Sequence, residues 1–298
     1  MKSTALCSLL LLTVSTGGVT GFVTTPTNNH RLTTTSPSSV IVLKDFPDAD
    51  GPSDYDTEDL PPSEKSVVVD DKEEDVMIRD ALKRELLLLA SVTNRGLYSN
   101  KDEAGLVLDL VSQLEALNPT AYPAEHCSGE WDLCYSSTQL FRSSPFFQAI
   151  RIAVGDDNRQ MAENGFKLHD RATSGSRIGR VKQILSSTQL INELDLEVGV
   201  LPGLPFKIKG TVVTTASMKI VSDKEMDLTL ESTRVKGSNI PLLNQIMEEE
   251  LQMELPVGEV YKTIRGDVPV IAMQTFYVDE SMRITRDVDE NIFVYTRP

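Results

Sequence analysis

Histidine, cysteine and tryptophan are scarce in this 298-residue chain, which holds three, three and one of them. The histidines, His30, His126 and His169, stand apart and fit no zinc-ligand spacing or Ser-His-Asp arrangement. Three cysteines do not make a disulfide framework. Cys7 lies in a segment expected to be removed; Cys127 and Cys134 are expected as reduced thiols, Cys134 as a small packing residue. No Walker-type glycine loop, dinucleotide fingerprint or Gly-x-Ser-x-Gly elbow occurs. Carboxylate pairs are common, but most fall on the polar face of a strand pattern, where they read as solvated surface. Catalysis has no positive support, so the chain is read as a non-enzyme with no cofactor or metal. Clustered basic charge is missing as well. The formal net charge is −15, and residues 45–80 hold −11 of it. Nucleic acid is therefore a poor partner, because neutralising phosphates needs a basic face.

Long hydrophobic runs are also few. Ala5 to Val14 follows Lys2 and has the length of a signal-peptide core, too short to span a bilayer. Residues 1–21 are expected to be a signal peptide ending at Val19-Thr20-Gly21. Residues 22–44 begin with Phe22 and are rich in Thr, Ser, Asn and Pro, with two basic groups and no acid, a transit-like composition. Together they are similar to the bipartite presequences of algae with secondary plastids. A secreted protein with a disordered head is the plainer alternative. No later segment reaches the roughly 20 apolar residues of a membrane helix, so a soluble or peripheral mature protein is expected. Residues 45–75, rich in Asp, Glu, Pro and Ser, have few apolar groups to offset ordering entropy and are expected to be a disordered linker.

The rest is patterned. Val76, Ile78, Leu82, Leu86, Leu89 and Ala90 recur at helical spacing over about 74–92, and Gly96 follows as a stop. A second helix is expected over 101–117, with Asn100 as N-cap and Asn118-Pro119 ending it. From Glu130 the period falls to two. Leu194, Leu196, Val198 and Val200 share one face of a strand; Glu193, Asp195 and Glu197 share the other. Strands are expected near 131–138, 147–154, 165–170, 177–187, 190–200, 206–220, 226–231, 270–278, 282–286 and 291–297.

Antiparallel strands with one apolar and one charged face avoid exposed edges by closing into a barrel. The fold class is mainly β: an antiparallel barrel preceded by two helices, with one amphipathic helix before the last strands. That helix, over 242–255, sets Leu242, Leu243, Ile246, Met247 and Leu251 against an acidic face. It is expected to cap the barrel, with a place on a membrane as the alternative; such membrane helices are usually basic on the polar face.

Several segments in order resemble the plastid-lipid-associated protein (fibrillin) family, over 76–298. They are the two helices ending in Arg95-Gly96 and Leu117-Asn118-Pro119-Thr120, then Gly129-Glu130-Trp131-Asp132-Leu133-Cys134-Tyr135-Ser136-Ser137, then Ser144-Pro145-Phe146-Phe147, and finally Thr275 to Arg286 with Asn291-Ile292-Phe293-Val294-Tyr295. The resemblance implies a lipocalin-like barrel. It also implies a plastid protein associated with plastoglobules or thylakoids, handling carotenoid, quinone or other prenyl lipids, or binding a lipid-biosynthetic enzyme. In lipocalins an arginine packs across the tryptophan, and Arg283, Arg286 and Arg297 are the candidates here. Barrel closure is accordingly assigned to Gly129, Trp131, Asp279, Arg283 and Arg286, with headgroup binding as the other reading of the two arginines. An apolar ligand pocket is expected from Trp131, Tyr135, Leu194, Leu196, Phe206, Ile208, Met226 and Leu228. A barrel filled by its own side chains would instead act as a scaffold for a membrane or an enzyme.

Overall fold

The computed structural model describes residues 71–199, 207–237 and 257–298. The segments read as presequence, most of the stretch read as acidic linker, Phe206 and the helix expected over 242–255 lie outside these residues.

Two helices come first. α1 (Asp71–Val92) begins inside the stretch read as linker, and α2 (Lys101–Ala116) follows eight residues later. Asn100 starts α2 through a capping box: its side chain accepts from the amides of Asp102 and Glu103, and Glu103 accepts from the Asn100 amide. The turn between the helices needs Gly96. Its φ is +89°, and a Cβ there would lie 2.2 Å from the Ser136 carbonyl oxygen. Beside it, Arg95 donates to the carbonyls of Ile178 and Gly179 at 2.8 and 2.6 Å, where strand pairing shifts register.

Eight strands form the barrel: β1 (Gly129–Ser136), β2 (Ser176–Leu185), β3 (Gln189–Gly199), β4 (Lys207–Ile220), β5 (Glu225–Lys236), β6 (Val270–Val278), β7 (Met282–Arg286) and β8 (Ile292–Thr296). Each is antiparallel to the next, and β8 pairs back onto β1, so no edge is left open. Where side chains alternate cleanly, as in Leu190, Asn192 and Leu194 of β3, the apolar set points inward.

Two of the ten expected strands are helices. Residues 147–154 belong to α3 (Pro145–Val154), and 165–170 belong to α4 (Arg159–Ala172). In α3 both faces are apolar, so Ile150, Ile152 and Val154 imitate a period of two. The start signal decides it: the Ser144 side chain accepts from the Phe146 amide, and Pro145 occupies the first helical position. In α4 the buried residues are Ala162 and Phe166, one helical turn apart.

α3 fills one end of the barrel, with Phe146, Ala149 and Ile152 in the same cluster as the strand side chains. It is the cap that the described residues provide. α5 (Val257–Arg265) adds Val257 and Tyr261 to that cluster. A second cluster lies outside the barrel. There Leu86, Ala90, Val107, Val111 and Leu114 of the helical hairpin cover Tyr135, Tyr277, Ile284 and Val294. Each buried Leu, Val or Ile among them contributes roughly 1.5–3 kcal/mol. Among the described residues, no helix is long and apolar enough to cross a membrane.

Candidate functional site: the barrel interior and its closed end

The end of the barrel opposite α3 is built from the start of β1 outward. Gly129 has φ +123°, and a Cβ there would meet Arg297 Nη1 at 2.3 Å. Two residues on, Trp131 is fully buried and its indole N–H donates to the Cys127 carbonyl at 2.7 Å. Two guanidinium groups stand over the ring system: Arg297 lies 4.2 Å from the Trp131 ring centroid and Arg283 5.4 Å. Arg283 also lies 4.4 Å from the Tyr295 ring, and Arg297 donates to the Ser128 carbonyl at 3.3 Å.

Arg286 and Asp279, assigned to closure from the sequence, do other work. β7 alternates, so Arg283 and Arg286, three residues apart, cannot both face inward. Arg286 points out and pairs with Glu115 of α2 at 2.9 Å. Asp279 accepts from Lys83 of α1 at 2.8 Å, from Tyr277, and from the amides of Ser281 and Met282. Burial alone would raise the Asp279 carboxyl, but these hydrogen bonds outweigh it and hold it down at about 2. Both residues fasten the helical hairpin to the barrel.

Of the expected pocket residues, Leu194, Met226 and Leu228 are buried in the interior with Trp131. Leu196 is partly buried against them, and Ile208 is half-buried. Tyr135 is in the outer cluster instead: a register shift between Leu133 and Tyr135 turns it away from the Trp131 side. The barrel's centre is occupied. Trp131, Phe293, Tyr295, Met218, Met226, Met273, Leu228 and Leu230 belong to one buried cluster, and a cavity of about 10 Å³, too small for a lipid, lies against α3 between Arg151, Ile152, Ile271 and Asp287. A recess of about 390 Å³ lies on the polar outer side of β2–β4, lined by Arg177, Asp195, Glu197, Lys209 and Thr211.

Sequence reasoning missed the polar side chains inside. Gln183 and Asn192, each 1% exposed, occupy inward positions of β2 and β3. Arg283 donates to Gln183 Oε1, and Gln183 Nε2 reaches Asn192 Oδ1 and the Ser143 carbonyl, each at 3.4 Å. The signal was present as a polar residue breaking an apolar register: Val181-x-Gln183-x-Leu185 and Leu190-x-Asn192-x-Leu194. A second missed group holds α3 in place. Asp289 of the β7–β8 turn accepts from Arg151 at 2.8 and 2.9 Å and also faces Arg142 and Arg159.

The reactive groups are quiet. Burial pushes the Cys134 thiol up to about 12 and raises the Tyr295 hydroxyl, so neither supplies an anion at neutral pH. Cys127 and Cys134 are both free, and Cys127 donates to the Pro123 carbonyl. His169 stands against Phe141 and Phe147, and burial lowers its pKa. What the interior offers is apolar surface and a few buried donors.

Comparison with known proteins fits this geometry. A family model described as PAP_fibrillin matches residues 80–296. A cucumber (Cucumis sativus) chromoplast-specific carotenoid-associated protein is 24% identical over 249 residues, 78% of this chain and 73% of its own. An Arabidopsis thaliana probable plastid-lipid-associated protein 2, chloroplastic, is 35% identical over 241 residues, 74% of this chain and 72% of its own. A second Arabidopsis protein, probable plastid-lipid-associated protein 1, is 26% identical over 253 residues, covering 78% and 74%. No solved structure matches significantly. With a closed eight-stranded antiparallel barrel and a family match over most of its length, this chain belongs to the PAP/fibrillin family.

Proposed function

We propose that this is a noncatalytic plastid protein that binds and organises apolar lipids, of the carotenoid, quinone or other prenyl class, at thylakoid or plastoglobule surfaces. One observation carries the surface part of the reading. The helical hairpin leaves Met77, Leu88, Val92, Leu97 and Tyr98 exposed, Tyr98 at 72% and Val92 at 65%. Met77, Leu88 and Val92 fall on one side of α1, and Leu97 and Tyr98 lie in the turn just beyond it. Exposed apolar side chains along one helix face and the turn after it mark an interaction surface, and a lipid surface is the partner that the relatives' names supply. Delivery follows from the presequence pattern: a signal over 1–21 and a transit-like segment over 22–44.

Flotation tests this reading. The purified chain should float with galactolipid vesicles and with triacylglycerol droplets loaded with β-carotene. Leu88→Asp combined with Tyr98→Asp should stay at the bottom while its far-UV circular dichroism is unchanged. A double variant that floats as well as the parent refutes the hairpin as the lipid contact. The packed barrel centre favours a second reading, a scaffold that binds a lipid-biosynthetic enzyme. Its mark would be a protein that leaves plastids with an enzyme attached and without lipid.

A further inference from the structure

A buried charge with no counter-charge is the costliest feature inside this barrel. Arg283 is 0% exposed, and among the described residues it forms no ion pair. Only its Nη2 is used, on the Gln183 side-chain carbonyl; Nε and Nη1 have no acceptor. The Nδ2 of Asn192, on the far side of the same Gln183 amide, is likewise unpartnered. Of the carboxylates within four residues, Glu280 is exposed, Asp287 accepts from Asn291 and from the amides of its own turn, and Asp279 is spent on Lys83, Tyr277 and its own turn. Three donors without a hydrogen-bond acceptor and one positive charge therefore lie around Gln183, where the guanidinium has the Tyr295 and Trp131 rings beside it and the Tyr295 hydroxyl also meets Gln183.

We propose that Arg283, Gln183 and Asn192 form a binding site for the carboxylate of a long-chain acidic lipid, a fatty acid being the simplest member of the class. This goes beyond the lipid-surface reading, whose carotenoids and quinones carry no carboxylate, by naming an interior site for a second class of lipid. A monocarboxylate matches the single guanidinium charge and supplies two acceptor oxygens for donors that have none. A water would satisfy donors and leave the charge; a dianionic phosphate would overcompensate it. The walls fit a hydrocarbon tail: Trp131, Leu133, Val181 and Tyr295 share the cluster with Met218, Met226 and Met273. Methionines are the side chains best able to repack around an entering chain. The packed interior is then the ligand-free arrangement, with Met side chains standing where the tail would lie.

The test uses the delipidated protein and [1-¹³C]oleate. The bound carboxyl carbon should titrate below free oleate, because the guanidinium favours the ionised form. Oleate should bind on the order of ten-fold or more tighter than oleyl alcohol, which keeps the tail and loses the charge. Arg283→Gln should abolish that preference. Should this variant not fold, the wild-type titration and the oleate-to-alcohol ratio decide alone. A ratio near one, or an unshifted titration, overturns the site. Acetate should fail to displace oleate at equal concentration; equal competition would mean a small free carboxylate is the ligand and overturn the lipid assignment. Failure here leaves the flotation result standing, so the two readings are judged separately.

Discussion

Replacing Trp131 with alanine should unfold this protein before it alters any specificity. The magnitude follows from what the side chain touches. It is fully buried at the closed end of the barrel, and truncating such a side chain costs about 3–5 kcal/mol. Its N–H is the donor to the Cys127 carbonyl, and leaving that buried acceptor unpaired adds about 1–3 kcal/mol. The cation–π contacts add about 0.5 kcal/mol for an exposed guanidinium such as that of Arg297, and up to about 2 for a desolvated one such as that of Arg283. Even the low ends together approach 5 kcal/mol, the entire stability of a marginal domain. Urea unfolding should be followed by far-UV circular dichroism, because Trp131 is the sole tryptophan and its removal abolishes indole fluorescence. Trp131→Phe keeps a ring beside both arginines and should lose far less. A Trp131→Ala variant with a wild-type urea midpoint, or one that stays fully stable and loses only lipid, would refute the closure role.

Gly96→Ala should cost at least about 2 kcal/mol, since the left-handed backbone is strained and the clash is with backbone that cannot rotate away; a variant as stable as the parent in urea would contradict this. Asp289→Asn strips the buried counter-charge from Arg142 and Arg151 and should destabilise by roughly 3–5 kcal/mol, with proteolytic cuts appearing first in α3–α4. Unchanged melting and cleavage would show that α3 is held otherwise. Asp279 has a folded pKa below its unfolded value, so its contribution is present above about pH 4 and lost as pH falls toward 2. The amount is on the order of 2 kcal/mol, and Asp279→Asn should flatten that part of the acid-unfolding curve. A curve of the same slope would rule the contribution out.

The barrel was legible because β3 keeps a period of two and the other long strands keep it between their register shifts, and the two leading helices because their stripes and caps agree. Residues 147–154 were not, since a helix apolar on both faces satisfies either period; only the Ser144-Pro145 start tells them apart. The closed end was half legible. Gly129 and Trp131 announce themselves, but choosing among Arg283, Arg286 and Arg297 needs the register of β7. Gln183 and Asn192 were visible as breaks in an apolar face. Nothing local marks Asp289, because the arginines it binds come from 130 or more residues away.

Tyr135 and Tyr277 show why alternation fails where it does. Both follow register shifts, between Leu133 and Tyr135 in β1 and between Thr275 and Tyr277 in β6. An extra residue at each point reverses which side chains face inward. Leu133 and Val278 stay with the inner cluster, while Tyr135 and Tyr277 pass to the outer one beneath α1 and α2. Without the shifts both tyrosines would crowd a centre already occupied by Trp131, Tyr295 and Phe293. The helical hairpin would then lose the rings it packs on: Tyr135 lies under the Gly96 turn, and the Tyr277 hydroxyl meets Asp279, which holds Lys83. The two bulges thus serve one end, moving aromatic surface from an overfilled barrel to a hairpin that has no other core. A lipid entering the barrel would press on the inner cluster, while the hairpin's own anchorage lies on the outer one. Interior binding and surface docking can therefore vary independently in this molecule, and measuring them on the same variants separates them.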